Sequence, residues 1–470
     1  MASLSKLMIF SLILFFACLV QSVNSVIHLP LHRRGGRFSY HESANLTHLA
    51  SILHSAEAKY GRSYRVIEKN RLVRKWHASS CRDENDPEVI DVVGGANRWY
   101  TILEVGEPRQ RLEVDVDMLR PDFYTITTAS NRGSKYDASA SQSHRSRHGR
   151  AHPICARSSD EFHFSPSLLP PIRLEFPTCT PSKSSRQSLA HSGTFLGLAP
   201  HHDDTRYLAR VSSAPVLTQL KAQGAFAEEV WSVTLLDTDT GILSLGGTIA
   251  REVEEAKIRG QVELQHFGEA GVTSEWVGEQ VNKQLQAVMP SGMPWDRAFK
   301  WTDVQGTAGW WTALMKGVWV NGAKILRNQP VLFDINVPFI LAPPIAAQRF
   351  YDSMGGTKRL PPPFDCFFAF PCFNQVNIAF EIAGVNLPTM QGQGTWADGL
   401  DGPAGGRFSL GKLGDGSGYC VGSVVESRMG QRKEGLESGM NNVWVLGEPF
   451  FRRLGVVFDM DKERVGVRIY

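Results

Sequence analysis

Two stretches decide the fold: Glu113-Val114-Asp115-Val116-Asp117-Met118-Leu119-Arg120-Pro121-Asp122-Phe123 and Val331-Leu332-Phe333-Asp334-Ile335-Asn336-Val337-Pro338-Phe339. Each sets an aspartate, Asp117 or Asp334, at the end of an apolar, strand-like run. Two carboxylates delivered by similarly built segments point to a duplicated scaffold that brings them together. Acid–base chemistry needs that arrangement, one acid holding a proton while the other activates water. The residues that follow each aspartate work against the same chemistry.

From about Asn97 the chain reads as short β-rich runs separated by Gly, Pro, Asp and Asn, the pattern of a large all-β protein. The runs predict strands over 99–105, 110–116, 123–128, 231–236, 241–245, 314–320, 331–333, 376–380, 444–446, 456–458 and 465–469. Helical spacing is best over 214–223 and 344–354. Residues 251–309 break the rhythm with charge, several Trp and a weakly helical stretch over 274–288, and read as an insertion near a lobe junction. The glycine-rich stretches 392–418 and 422–439 read as long surface loops. At 470 residues the chain exceeds what one hydrophobic core usually supports, so two lobes are expected.

Residues 1–25 hold one charge, Lys6, then an apolar run from Leu7 to Val20, then small residues suited to cleavage, and read as a secretory signal peptide. That run is short for a membrane span, no later stretch is longer, and the chain ends at Tyr470 without a lipid-anchor tail. The expectation is a soluble, secreted, extracellular monomer with no membrane anchor. Six cysteines lie beyond Cys18, an even set that pairs in an oxidising compartment. Cys155 with Cys179 and Cys372 with Cys420 are the favoured pairs. Cys81 and Cys366 lack an obvious partner other than each other. No cysteine or histidine spacing calls for a metal, and no cofactor is expected.

Charge is segregated. Residues 26–80 carry ten Lys or Arg against three Glu, whereas the whole chain is at +3, which leaves the part from Cys81 onward acidic. In an exported chain the natural target of such a segment is the protein's own acidic surface rather than nucleic acid. Val26-Ile27-His28-Leu29-Pro30-Leu31 suits an added edge strand, and Leu46 to Leu53 a helix turn or two. The single glycosylation sequon, Asn45-Leu46-Thr47, lies in this segment, as does the dibasic pair Arg74-Lys75.

These residues resemble the pepsin-like aspartic proteases. Trp99-Tyr100-Thr101-Ile102 with Val105-Gly106-Glu107-Pro108-Arg109-Gln110 looks like that family's opening hairpin, and Asp117 stands where its first Asp-Thr-Gly begins. Gly193-Thr194-Phe195-Leu196-Gly197-Leu198 is similar to the element that threads behind the first aspartate. Trp231 to Thr248 resembles the strand pair closing the first lobe, and Trp310-Trp311 with Gly317 to Gly322 the start of the second. Asp334 falls where the second Asp-Thr-Gly belongs, and Trp444-Val445-Leu446-Gly447-Glu448-Pro449-Phe450-Phe451-Arg452 and Val457-Phe458-Asp459 resemble the closing elements. The resemblance implies a bilobal all-β fold around a cleft with a zymogen-type pro-segment. The divisions then read 1–25 signal peptide, 26–80 basic propeptide-like segment, 81–250 N-terminal lobe, 251–309 insertion and 310–470 C-terminal lobe.

The family's threonines brace its two loops and its glycines let backbone N–H groups reach the carboxylates. Here Met118 and Ile335 replace the threonines, and Leu119 and Asn336 the glycines. Side chains at the glycine positions are expected to crowd the site. Arg120 beside Asp117 is expected to favour its charged form, and Pro121 and Pro338 each remove an N–H. In place of the family's flap, Ser143 to His152 is a basic polar run without tyrosine, read as a solvated loop on a truncated lobe edge and able to engage an acidic partner. His144, His148 and His152 would share a face only in a helix. The expected function is a secreted pseudo-protease, its Asp117 and Asp334 in the positions of the catalytic dyad, that binds a protein or peptide ligand in its cleft. The alternative is an acid endopeptidase with an unorthodox dyad.

Overall fold

The computed structural model describes residues 26–35, 42–65, 98–126, 136–152, 155–164, 170–179, 194–200, 213–235, 239–249, 295–305, 309–374, 376–388, 408–429, 440, 442–452 and 454–469. The expected signal peptide, the weakly helical stretch over 274–288, Arg74-Lys75 and Cys81 lie outside these residues. The described part is mostly β with few helices.

In chain order the first strands are β1 (Ile27–Arg33), β2 (Trp99–Val105), β3 (Gln110–Asp117), β4 (Phe123–Ile126), β5 (Arg145–His152), β6 (Cys155–His163), β7 (Ile172–Cys179), β8 (Thr194–Gly197), β9 (Val230–Leu235), β10 (Thr240–Leu245) and β11 (Lys300–Asp303). Then follow β12 (Thr312–Val320), β13 (Ala323–Phe333), β14 (Ile340–Ala342), β15 (Lys358–Arg359), β16 (Phe368–Pro371), β17 (Ile378–Ile382) and β18 (Val385–Pro388). The last are β19 (Ser409–Lys412), β20 (Tyr419–Gly422), β21 (Val424–Glu426), β22 (Trp444–Leu446), β23 (Leu454–Asp459) and β24 (Arg464–Ile469). The helices are α1 (Leu46–Arg65), α2 (Val216–Ala222), α3 (Pro344–Asp352) and α4 (Glu448–Phe451).

A 13-stranded sheet runs β11-β24-β23-β9-β10-β1-β2-β3-β8-β4-β7-β6-β5, a seven-stranded one β18-β17-β12-β13-β22-β14-β21, and a four-stranded one β15-β16-β20-β19. The large sheet thus joins strands from before and after residues 251–309: β23 pairs with β9, Phe458 opposite Trp231. Stacking of Trp231 on Phe458 at 4.1 Å, with Trp311 4.9 Å from Phe458, fills that junction.

One arrangement occurs twice. β3 lies parallel to β8, β8 antiparallel to β4, and β4 parallel to β7. Likewise β13 lies parallel to β22, β22 antiparallel to β14, and β14 parallel to β21. The duplication expected from the two aspartate segments is present, and each aspartate ends the first strand of its set or directly follows it.

Four expectations need correction. β1 is an interior strand, paired with β10 from Ile27 to His32 and with β2 at His32 and Arg33, rather than an edge. It is interior because Ile27, Leu29 and Leu31 all point into the core, with β10 paired along its length and β2 at its last two residues. α1 spans 20 residues rather than a turn or two, because Leu49, Ile52, Leu53, Ala56 and Tyr60 continue the apolar stripe beyond Leu53. The run read as a solvated loop contains strand β5, hairpinned to β6 with Arg145 opposite Ser159, so its histidines do not share a helix face. Parts of both glycine-rich stretches, 409–412 and 424–426, are strands, the second fully buried. Of the expected disulfides, Cys372–Cys420 is formed. Cys155 faces Cys179 in the register of β6 and β7, and Cys366 is disulfide-bonded.

Candidate functional site

The two-residue period of a strand sets the site. On β13 and β22, Val331, Phe333, Trp444 and Leu446 pack into the main core, whereas Leu332 and Val445 point to the other face, into the cluster that holds α1. Asp334 continues the parity of Leu332 and so meets α1. On β3, Leu112, Val114 and Val116 face the main core, leaving Asp115 and Asp117 on the opposite side. Asp115 is buried there between Arg34 at 3.0 Å and Arg98 at 3.6 Å.

The loops after the strands repeat their hydrogen bonding. Leu119 N–H donates to Asp117 Oδ1 at 2.9 Å, and Asn336 N–H to Asp334 Oδ1 at 3.0 Å. With Leu119 and Asn336 at the positions where the resemblance leads one to expect glycine, both donors are present despite the crowding expected from the sequence, because the two side chains find room elsewhere. Leu119 packs in the α1 cluster. The Asn336 amide donates to the Val116 carbonyl at 2.5 Å and accepts from Trp99 N–H at 2.8 Å, tying its loop to β2 and β3.

Between the two loops the contact is a weak one. Ile335 N–H points at Met118 Sδ at 3.4 Å, and a thioether is a weak acceptor. Both side chains are buried in the main core, so the loops are held by packing more than by hydrogen bonds. Nearby, Trp311 Nε1 donates to the Leu198 carbonyl at 2.7 Å, a further link between the two repeats.

The two carboxylates differ in their other donors. Asp117 Oδ2 accepts from the Tyr124 hydroxyl at 3.2 Å, and Tyr124 is stacked on Phe195 with the Arg120 guanidinium over its ring at 4.5 Å. Arg120 therefore lies against an aromatic face near Asp117. Asp334 is wholly buried, and its Oδ2 accepts from Lys59 Nζ at 2.6 Å and from the Tyr60 hydroxyl at 2.9 Å. Burial pushes the Tyr60 phenol well up, helped by the charges of Asp334 and Asp117, so it remains a proton donor. The residues next to the two aspartates touch across the repeats, Ile335 N–H at Met118 Sδ and the Asn336 amide at the Val116 carbonyl, which brings the sequence-predicted pair to a single place. Burial also pushes Asp122 up to about 6, against the lowering effect of Arg120.

Lys59 and Tyr60 escaped the sequence reading, which expected only that a basic segment would lie along an acidic surface. They belong to α1, which is further held by Glu57: its Oε1 accepts from the Ser427 hydroxyl at 3.1 Å and from Arg428 N–H at 2.9 Å. Tyr124, Asp122 and the bridging role of Asn336 also went unseen, since nothing in spacing alone aims a side chain across two repeats. Among the described residues no cluster of His, Cys, Asp and Glu is arranged to hold a metal ion. Chemically, the arrangement holds two carboxylates as hydrogen-bonded acceptors, one of them ion-paired to the chain's own lysine. The chain matches no known protein-family model and no curated protein.

Proposed function

We propose that this chain is a secreted, pepsin-like pseudo-protease: two β lobes about a cleft, peptide hydrolysis lost or much reduced, and the cleft and loops used to bind a protein or peptide. The observation that carries this reading is the occupation of Asp334, whose outer oxygen is filled by the Lys59 ammonium and the Tyr60 hydroxyl. A shared proton and a polarised water need that oxygen. Support also comes from the weak Met118 contact in place of a hydroxyl brace and from the Tyr124 donor on Asp117. The repeated strand arrangement supports the lobe pair, and the Cys372–Cys420 disulfide supports an oxidising compartment. Residues 26–65 act in this reading as a propeptide-like plug on the cleft. The basic strand β5 offers a second surface, suited to an acidic partner.

A second reading, an acid endopeptidase released by loss of α1, is favoured by one observation: both backbone donors to the carboxylates survive. The assay that separates the two incubates the purified full chain, and the Lys59→Ala/Tyr60→Phe variant in which Asp334 loses both donors while β1 stays in place, with casein or globin between about pH 2 and 6, where such dyads titrate. No cleavage is expected in either form. Cleavage blocked by a statine-type inhibitor and abolished by Asp117→Ala would establish the enzyme instead.

A further inference from the structure

The sequon Asn45-Leu46-Thr47 coincides with the start of α1. Asn45 is exposed, and its Oδ1 accepts from His48 N–H at 3.0 Å, the hydrogen bond of a helix N-cap. Its neighbours fix it in place. Ala44 N–H donates to the Lys412 carbonyl at 2.7 Å, Lys412 N–H to the Glu42 carbonyl at 2.8 Å, and Ser43 bridges Lys412 in parallel. The residues before the helix are thereby clipped to the end of β19, and the cap side chain stands on the outside of that junction. An asparagine amide offers two functions, an acceptor oxygen and a donor nitrogen. Here the fold uses the oxygen, and no described group takes a hydrogen bond from Nδ2.

We propose that Asn45 is an N-glycosylation site, and that the folded protein carries the glycan on Nδ2 while Oδ1 continues to cap α1. The donor class is a lipid-linked oligosaccharide whose first sugar is N-acetylglucosamine. The Nδ2–C1 bond forms, the glycosyl–phosphate bond breaks, the amide gives up one proton, and the lipid pyrophosphate leaves. A secondary amide keeps its carbonyl oxygen, so the helix start loses no hydrogen bond. Exposed Thr47, the third residue of the sequon, presents its hydroxyl without a structural duty in the described fold. The glycan would sit at the far end of α1 from Lys59, on the same segment that fills the site. It therefore reports directly whether a given molecule retains that segment. The proposal rests on the export reading, so the test supplies export independently.

The test expresses the chain from Val26 onward, behind a heterologous signal peptide, in a eukaryotic secretory host, and examines cell-retained and secreted forms by gel mobility and peptide mass. Treatment with peptide-N-glycosidase is expected to raise mobility and to convert Asn45, and no other asparagine, to aspartate. Thr47→Ala is expected to abolish the shift while leaving thermal unfolding of the deglycosylated protein unchanged, because the cap oxygen remains. Asn45→Ala is expected to abolish the shift and lower stability by the loss of the cap. Recovery of Asn45 as unmodified asparagine in the intact cell-retained chain overturns the proposal, as does a mobility shift that survives Thr47→Ala. Because the signal peptide is supplied, neither outcome bears on whether residues 1–25 direct export.

Discussion

At Asp334 a wholly buried carboxylate is met by an ammonium and a phenol from a helix 274 positions or more away in sequence. Its counterpart Asp117 takes its phenol, Tyr124, from β4, the strand that follows its own loop. The position matching Tyr124 in the second repeat is Leu341, an apolar core residue, which leaves room for α1 to supply the donor. Asp122 offers the cleanest test at this scale. Its carboxyl is raised from 3.8 to about 6 by burial, so the folded state binds the proton more tightly than the unfolded state does. The stabilising contribution is fully present below about pH 4 and is lost as pH rises through about 6. Asp122→Asn should therefore raise stability at neutral pH by roughly 2–3 kcal/mol and flatten the pH dependence between 4 and 6, read from urea unfolding at several pH values. An unchanged pH profile would sink the assignment. None of this was legible in the sequence, where Asp122 is one more polar loop residue. Its burial depends on β8 crossing behind it.

The repeated four-strand sets were foreseeable, since Phe195-Leu196-Gly197 and Val445-Leu446-Gly447 have the same apolar–apolar–glycine form and follow the two aspartate segments in the same order. The reason for glycine is steric. A Cβ at Gly197 would run into the carbonyls of Asp122 and Arg120, and one at Gly447 into those of Phe339 and Val337. These four carbonyls sit three and five residues after Asp117 and Asp334, so each glycine strand threads the loop of its own aspartate. Gly197→Ala or Gly447→Ala should cost on the order of 3 kcal/mol or more, measured as a shift in the urea midpoint, because backbone rather than side chain would have to move. Gly414→Ala, with open space around it, serves as the control and should change little. Strands with clear alternation, β2, β3 and β12 among them, were readable for the period-two reason, whereas β6, β7, β14 and several short strands were not foreseen. In β5 three arginines and two histidines in eight residues give no apolar alternation, and only pairing with β6 makes the run a strand.

Across the whole molecule, the N-terminal segment is built into the fold at two points. β1 fills the space between β10 and β2 and is fixed at its end by Arg33, 3.0 Å from Glu448. α1 adds several large apolar side chains to the second core, each worth about 1.5–3 kcal/mol when buried. A chain lacking residues 26–35 should lose cooperative thermal unfolding, since β10 and β2 would each present an unpaired edge. A sharp calorimetric transition within a few degrees of the full chain would show that the rest of the sheet stands without β1. The β class, the duplication, the two aspartates as equivalent positions and the basic character of residues 26–80 follow from the amino-acid order alone, because alternation, turn residues and charge are local properties; the Cys372–Cys420 pair was favoured there and is formed in the fold. The tertiary arrangement was needed to show that β1 is interior, that Lys59 and Tyr60 reach Asp334, that Met118 and Asn336 link the two loops, and that Tyr124 caps Asp117. Each of those depends on which side chains a strand's parity sends to which face, and on what another part of the chain then brings against them.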